Sequence, residues 1–254
     1  MLLVVDIGNT HVVMGLYKEE QLVATWRIYS DQKKTSDEYA VIVERIIRQK
    51  GFKCEEVKRG VISSVVPNLT RSFQKVIYTL TAVDPLMVSH ATAPGIVLES
   101  IPPQLGYDLL ANAVAAHSKW PNGNCVIIDF GTALTFTIVS KEGQLLGAAI
   151  APGLLTAVNS LFHNTAQIPQ VSLDIPVRAI GRDSDESIKS GIMFGYAGLV
   201  KELLKRIEEE VGERLFVVAT GGLSSTIAPL LTQVDSIEPH LTLEGLKIIA
   251  NATK

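Results

Sequence analysis

Cysteine is nearly missing from this chain. Only Cys54 and Cys125 occur in 254 residues, far apart and with no CxxC spacing. That argues against a disulfide framework or a cysteine zinc site and fits a reducing compartment. An excess of either charge is also missing: 23 Lys and Arg stand against 26 Asp and Glu, a net charge of -3. Nothing therefore points to nucleic acid or an anionic membrane as partner. No apolar run approaches the roughly 20 residues of a spanning helix. The opening MLLVVDIGNT lacks a basic leader and its apolar run stops at Asp6, so it reads as a strand and not as a signal peptide. The expected location is the cytoplasm. Several catalytic signatures are absent too. There is no GxxxxGK[ST], no GxGxxG after a strand, no HExxH and no Gly-x-Ser-x-Gly. The five histidines are scattered, and His11 alone lies beside a candidate loop.

What is present is an internal repeat. Residues 6–23, DIGNTHVVMGLYKEEQLV, align without a gap on residues 129–146, DFGTALTFTIVSKEGQLL, at an offset of 123, with six of 18 positions identical. Each copy reads as an apolar strand ending at an Asp, a small polar turn, a second strand, a polar reversal (KEEQ or KEGQ) and a third strand. Helical patterns follow over 36–49, 70–81, 184–210 and 240–251, with buried strands expected over 57–65 and 215–219. Ser36 or Asp37 is a plausible cap for the first of these helices. Gly191, Gly195 and Gly198 suggest close packing or a bend in the third. The pattern predicts an α/β chain of two duplicated βββαβα lobes, the actin/hexokinase-like (ribonuclease H-like) architecture. The Pro/Gly/Asn-rich SKWPNGN passage divides it into 1–118, with the first phosphate loop, and 119–254, with the second.

A strand ending in Asp-x-Gly-Asn/Thr gathers chemistry in one place. Glycine lets backbone approach a phosphate, and the N–H groups of the turn favour anions. The Asp meets phosphate only through a cation such as Mg²⁺, which prefers carboxylate, water and phosphate oxygen. Asp6-Ile7-Gly8-Asn9-Thr10 alone could be a plain turn. Its copy, Asp129-Phe130-Gly131-Thr132-Ala133, favours a pair of phosphate loops gripping a nucleotide from both sides. Thr220-Gly221-Gly222 follows a buried strand and suits either a nucleotide wall or a tight turn. Asp108 opens the helical LLANAVAAH segment, either as a first-turn acid or as the general base that takes a hydroxyl proton during phosphoryl transfer.

A series of short motifs in one order extends over almost the whole chain. It runs through DIGNT at 6–10, SSVVP at 63–67, Gly106-Tyr107-Asp108 before LLANAVAA, DFGTALTF at 129–136 and AIAPGL at 149–154. It continues with NTAQIP at 164–169, ESIKSGIMFGYAG at 186–198, ATGG at 219–222 and LTLEGL at 241–246. In this series the chain resembles the type III pantothenate kinases. The resemblance implies ATP-dependent phosphorylation of pantothenate to 4'-phosphopantothenate, the first step toward coenzyme A. It also implies a homodimer whose second subunit closes part of the pantothenate pocket, and a need for Mg²⁺ and a monovalent cation, K⁺ or NH₄⁺. By motif position Asp6, Gly8, Asn9 and Thr10 hold phosphates and Mg²⁺, while Gly131 and Thr132 cradle phosphate from the other side. Asp129 lies by the monovalent cation, Thr220, Gly221 and Gly222 line the nucleotide, and Asp108 is the base.

The resemblance places the substrate side at Ser100, Gly106, Tyr107, Leu109 and Ser184, and the departures from the family pattern fall mostly there. The family's Arg after the Gly-x-Asp is Leu109 here, which cannot grip a carboxylate. Its upstream Tyr is Ser100, its Gly-Gly is Gly147-Ala148, and its Asn-Thr is Asp183-Ser184. Arg178, Arg182 and Lys189 are candidate replacement cations. Two other readings stay open: a paralogue acting on another small alcohol, and a non-catalytic ATP-binding regulator.

Overall fold

The structure is a computed structural model and describes residues 1–98, 105–163 and 172–253. It falls into two compact units, Met1–Lys119 with Leu241–Lys254, and Trp120–His240.

The first unit begins with an antiparallel meander of β1 (Leu2–Ile7), β2 (His11–Lys18) and β3 (Gln21–Tyr29). After α1 (Ser36–Gln49), β4 (Arg59–Ser64) lies parallel to β1. After α2 (Pro67–Thr81), the short β5 (Leu86–Met87) lies parallel to β4. The sheet order is β3-β2-β1-β4-β5. β1 is apolar on both faces because both are covered, as in other sandwiched strands. Leu3, Val5 and Ile7 pack with Tyr39, Val43 and Ile47 of α1 and Phe73 and Ile77 of α2. Leu2 and Val4 pack on the opposite side with Leu110 and Val114 of α3 (Tyr107–Lys119) and Leu243, Leu246 and Ile249 of α7 (Leu241–Ala252).

Two local signals differ from the sequence reading. Thr35, one residue before the expected cap, closes α1 in a reciprocal capping box with Glu38. Pro67, three residues before the helix expected over 70–81, is the first residue of α2, where its missing N–H costs nothing.

The second unit repeats the plan. β6 (Cys125–Phe130), β7 (Ala133–Val139) and β8 (Leu145–Pro152) form the meander. α4 (Leu154–His163) and α5 (Ser184–Val211) follow, then β9 (Phe216–Thr220) parallel to β6, the four-residue α6 (Ser224–Ile227) and β10 (Ser236–Ile237). The order β10-β9-β6-β7-β8 matches the first sheet strand for strand. α5 runs unbroken for 28 residues, and the space beside Gly191, Gly195 and Gly198 is open, so no close neighbour packs on these glycines among the described residues. α7, assigned by the sequence division to the second lobe, packs in the first unit.

The repeat is not a rigid copy. Leu3, Val5 and Ile7 of β1 correspond in core position to Val126, Ile128 and Phe130 of β6, an offset of 123. Val12, Met14 and Leu16 of β2 correspond to Leu134, Phe136 and Ile138 of β7, an offset of 122. The first turn is residues 8–11 in one unit and 131–133 in the other, one residue shorter. The next reversal, 18–21 against 140–144, is one residue longer and restores 123 for β3 and β8. Each middle strand carries its register shift at the equivalent place, Leu16/Tyr17 and Ile138/Val139. The slide is obligatory: at a strict offset of 123, Val12 would align with Thr135 and the apolar set of β7 would face the wrong side.

Candidate active site

In the first unit, Asp6 is the next-to-last residue of β1, which runs one residue past the end expected from the sequence, with Val13 opposite it on β2 and Ser63 on β4. Ser63 is fully buried, and its hydroxyl makes no hydrogen bond among the described residues. The turn follows at once. Gly8 N–H donates to His11 O at 3.0 Å, leaving Asn9 and Thr10 exposed. The His11 ring lies 5.1 Å from that of Tyr29. Burial, and then the Arg27 charge, hold the His11 pKa below its ordinary value, so it adds no fixed positive charge near neutral pH.

Asp108 lies in the first turn of α3, near the same end of the sheet. Val65 N–H donates to Ile7 O at 3.0 Å, and Gly106 sits against both Val65 and the Asp108 carboxyl. Asp108 Oδ1 accepts the Leu109 N–H at 2.9 Å. Burial nevertheless raises the Asp108 pKa above the ordinary carboxylate value. Tyr107 meets His90 edge-on at 5.6 Å. Leu109 is only 5% exposed, an apolar side chain buried in the first turn of α3. A shallow cavity of about 230 Å³ lined by Met1, Leu2, Lys58, Arg59 and Asn251 opens at the other end of β1 and involves none of these residues.

In the second unit, Asp129 is likewise the next-to-last residue of β6, with Thr135 opposite on β7 and Thr220 on β9. The Thr135 hydroxyl is buried and makes no hydrogen bond among the described residues. Gly131 N–H donates to Ala133 O at 3.2 Å. Gly221, at φ +89, lies so close to Asp129 and Phe130 that any side chain would overlap them. The Thr220-Gly221-Gly222 turn thus abuts the Asp129 loop. Ser224 at the start of α6 returns its hydroxyl to Gly221 O at 2.8 Å. Ser184 is the exposed first residue of α5, behind the Asp183 cap. Of the candidate replacement cations, Lys189 is tied to Asp185 at 2.9 Å and Asp174 at 3.4 Å, and Arg178 and Arg182 are exposed. Ser100 and the 164–169 motif lie outside the described residues.

Each acidic turn therefore pairs one carboxylate with one unbonded buried hydroxyl on a neighbouring strand. No group of three His, Cys, Asp or Glu converges among the described residues. That donor set fits a cation held by one carboxylate, water and substrate oxygen, the usual habit of Mg²⁺, better than an all-protein cage. Ser63 and Thr135 were not singled out in sequence. Ser63 stood in the SSVVP motif and Thr135 in DFGTALTF, but only the strand register puts them beside Asp6 and Asp129.

The family model described as type III pantothenate kinase matches residues 2–206. The chain is 38% identical over 250 residues to a type III pantothenate kinase of Geobacter sulfurreducens, covering 98% of each chain. It is 40% identical over 256 residues to one of Desulfosudis oleivorans, covering all of both. Among solved structures, the activator of 2-hydroxyisocaproyl-CoA dehydratase from Clostridium difficile, with ADPNP bound, superposes with a TM-score of 0.58 at 17% identity, over 99% of this chain and 92% of that one. MreB 5 of Spiroplasma citri, bound to AMPPNP, gives 0.55 at 11%, over 98% and 96%. At such identities these two speak to the fold alone, an actin/hexokinase-like ATPase fold. On the full-length match of sequence and motif, the chain belongs to the type III pantothenate kinase family.

Proposed function

We propose that this protein transfers the γ-phosphoryl group of ATP to the 4'-hydroxyl of pantothenate, the first step of coenzyme A synthesis. The observation that carries the reading is the end-to-end match to pantothenate kinases at 38–40% identity. That match also favours it over a regulator or a kinase for another alcohol. Asp6, Gly8, Asn9 and Thr10 offer groups for phosphate in the first unit, and Gly131 and Thr132 do so in the second. Thr220, Gly221 and Gly222 form a flat backbone wall for the nucleotide. Asp6, with Ser63 beside it on β4, would hold Mg²⁺, whose chemistry when bound is to neutralise phosphoryl charge. Asp129 with Thr135 would hold a monovalent cation, K⁺ or NH₄⁺.

Asp108 takes the proton of the attacking hydroxyl. Its raised pKa supports this, because a base works best with a pKa closer to the working pH. Gly106, Tyr107, Leu109, Ser100 and Ser184 form the pantothenate side, with Leu109 giving apolar contact in place of the family's Arg. A homodimer belongs to the same reading. The exposed Ile150, Val177 and Ile180 of the second unit support a covered surface there. The decisive experiment measures ADP release with MgATP and K⁺, with and without pantothenate. Pantothenate-dependent turnover is expected; its absence at every K⁺ and NH₄⁺ concentration would remove the proposal. Light scattering checks the dimer, and a monomer mass would count against the shared pocket.

A further inference from the structure

The two acidic turns are not held by their own strands alone. Ser30, the residue after β3, donates its backbone N–H to Thr10 O at 3.0 Å and its hydroxyl to Gly8 O at 2.6 Å. Gly153, the residue after β8 and the partner of Ser30 at the offset of 123, donates its N–H to Thr132 O at 3.0 Å. No side chain fits at Gly153, because a Cβ there would overlap Gly131 O. The hydroxyl comes instead from Thr156, in the first turn of α4, which donates to Thr132 O at 2.6 Å. Both units thus make one backbone and one hydroxyl bond to their turn, by different residues.

The peptide unit is planar, with C=O and the next N–H pointing in opposite directions. Fixing Gly8 C=O therefore fixes Asn9 N–H, and fixing Thr132 C=O fixes Ala133 N–H. A carbonyl turned toward an anion repels it, whereas an N–H turned toward it attracts it. We infer that Ser30 and Thr156 are positioning residues for phosphoryl transfer: their hydroxyls hold the turn carbonyls away from the nucleotide's phosphates and so aim the neighbouring N–H groups at them. This rests on the kinase reading above. Neither side chain takes part in the chemistry.

The test uses the full chain with Ser30→Ala and Thr156→Ala, and the hydroxyl-keeping Ser30→Thr and Thr156→Ser. MgATP affinity by calorimetry, KM for ATP and for pantothenate, kcat and thermal midpoint are all read. Loss of one latch should raise the ATP Kd and KM about five- to tenfold, the factor a single hydrogen bond carries. The pantothenate KM and the thermal midpoint should stay near the parent values, and the hydroxyl-keeping variants should recover most of the loss. ATP parameters unchanged in both alanine variants would overturn the latch. So would an activity loss that follows a fall in midpoint with the ATP KM unaltered. A parent protein that binds MgATP while the alanine variants match it overturns the latch alone; a parent that binds no MgATP overturns the kinase reading and the latch with it.

Discussion

Gly106 and Asp108 are packed so closely that a side chain on the glycine would overlap the carboxyl oxygen that accepts the Leu109 N–H. Gly106→Ala should therefore leave the fold intact and push the carboxyl aside. A displacement near 1 Å at a reacting group costs on the order of 100-fold in rate. We expect kcat to fall by about that factor with the ATP Kd unchanged. Calorimetry and steady-state kinetics on one preparation check this, and a variant with parental kcat would show that Asp108 needs no exact placement.

Asp108→Asn should lose phosphoryl transfer by about 10²–10⁴-fold, the usual contribution of a general base, while still binding MgATP. Its stability should move the other way. The folded pKa of Asp108 is raised by burial, so the folded state holds the proton more tightly than the unfolded chain does. Stability from this group is complete below the unfolded carboxylate pKa and is lost as pH rises through the folded value. The neutral amide removes that loss. Melting curves should show Asp108→Asn more stable than the parent at pH 8, with the gain vanishing near pH 4. An equal gain at both pH values would mean that the charge is not its source.

The same raised pKa predicts the acid limb of the rate profile. kcat/KM reports the free enzyme, so its acid-side fall should be centred above the ordinary Asp value of about 3.9. A limb at or below that value would place the titrating base elsewhere.

Thr135 and Thr137 both carry buried hydroxyls without a hydrogen bond among the described residues, and Thr135 alone stands opposite Asp129. Valine has nearly the same shape without the hydroxyl. Each substitution should stabilise the fold by roughly 1 kcal/mol, because an unsatisfied buried group costs about 1–3 kcal/mol. Thr135→Val alone should weaken activation by K⁺. An identical K⁺ response in the two variants would separate Thr135 from the cation.

Gly245 marks the closest approach of α7 to α3: a side chain there would overlap the Ala111 backbone. Gly245→Ala must push two helices apart, and overpacking of this kind costs about 1–3 kcal/mol. The thermal midpoint should fall by several degrees, since each kcal/mol shifts it by about 2–4 °C at this chain length. An unchanged midpoint would mean that the helices separate freely.

Sequence made the duplicated meander legible because period and turn chemistry were repeated along with the two aspartates. It made Asp6, Asp129 and Asp108 legible because each stands near the end of a strand or at the start of a helix, where local pattern is strong. It hid the slide of β2 against β7. A turn shortened by one residue and a reversal lengthened by one cancel in an ungapped alignment, and only the core side of Val12 and Leu134 reveals them. Ser30 and Thr156 were hidden for another reason. Their bonds run to the backbone of a turn more than twenty residues away, and neither residue type is unusual where it stands. α4 has no counterpart among the helices expected from the sequence, although the apolar Leu154 and Val158 seat it in the second core.

The return of α7 to the first unit sets an order of events during synthesis. Leu243, Leu246 and Ile249 complete the cluster that covers Leu2, Val4 and Tyr17, so the face laid down by β1 and β2 waits for a helix that follows the whole of the second unit. Residues 120–240 form a continuous unit that can close first. The nascent first unit must keep an apolar surface from sticking to other chains until α7 has been made.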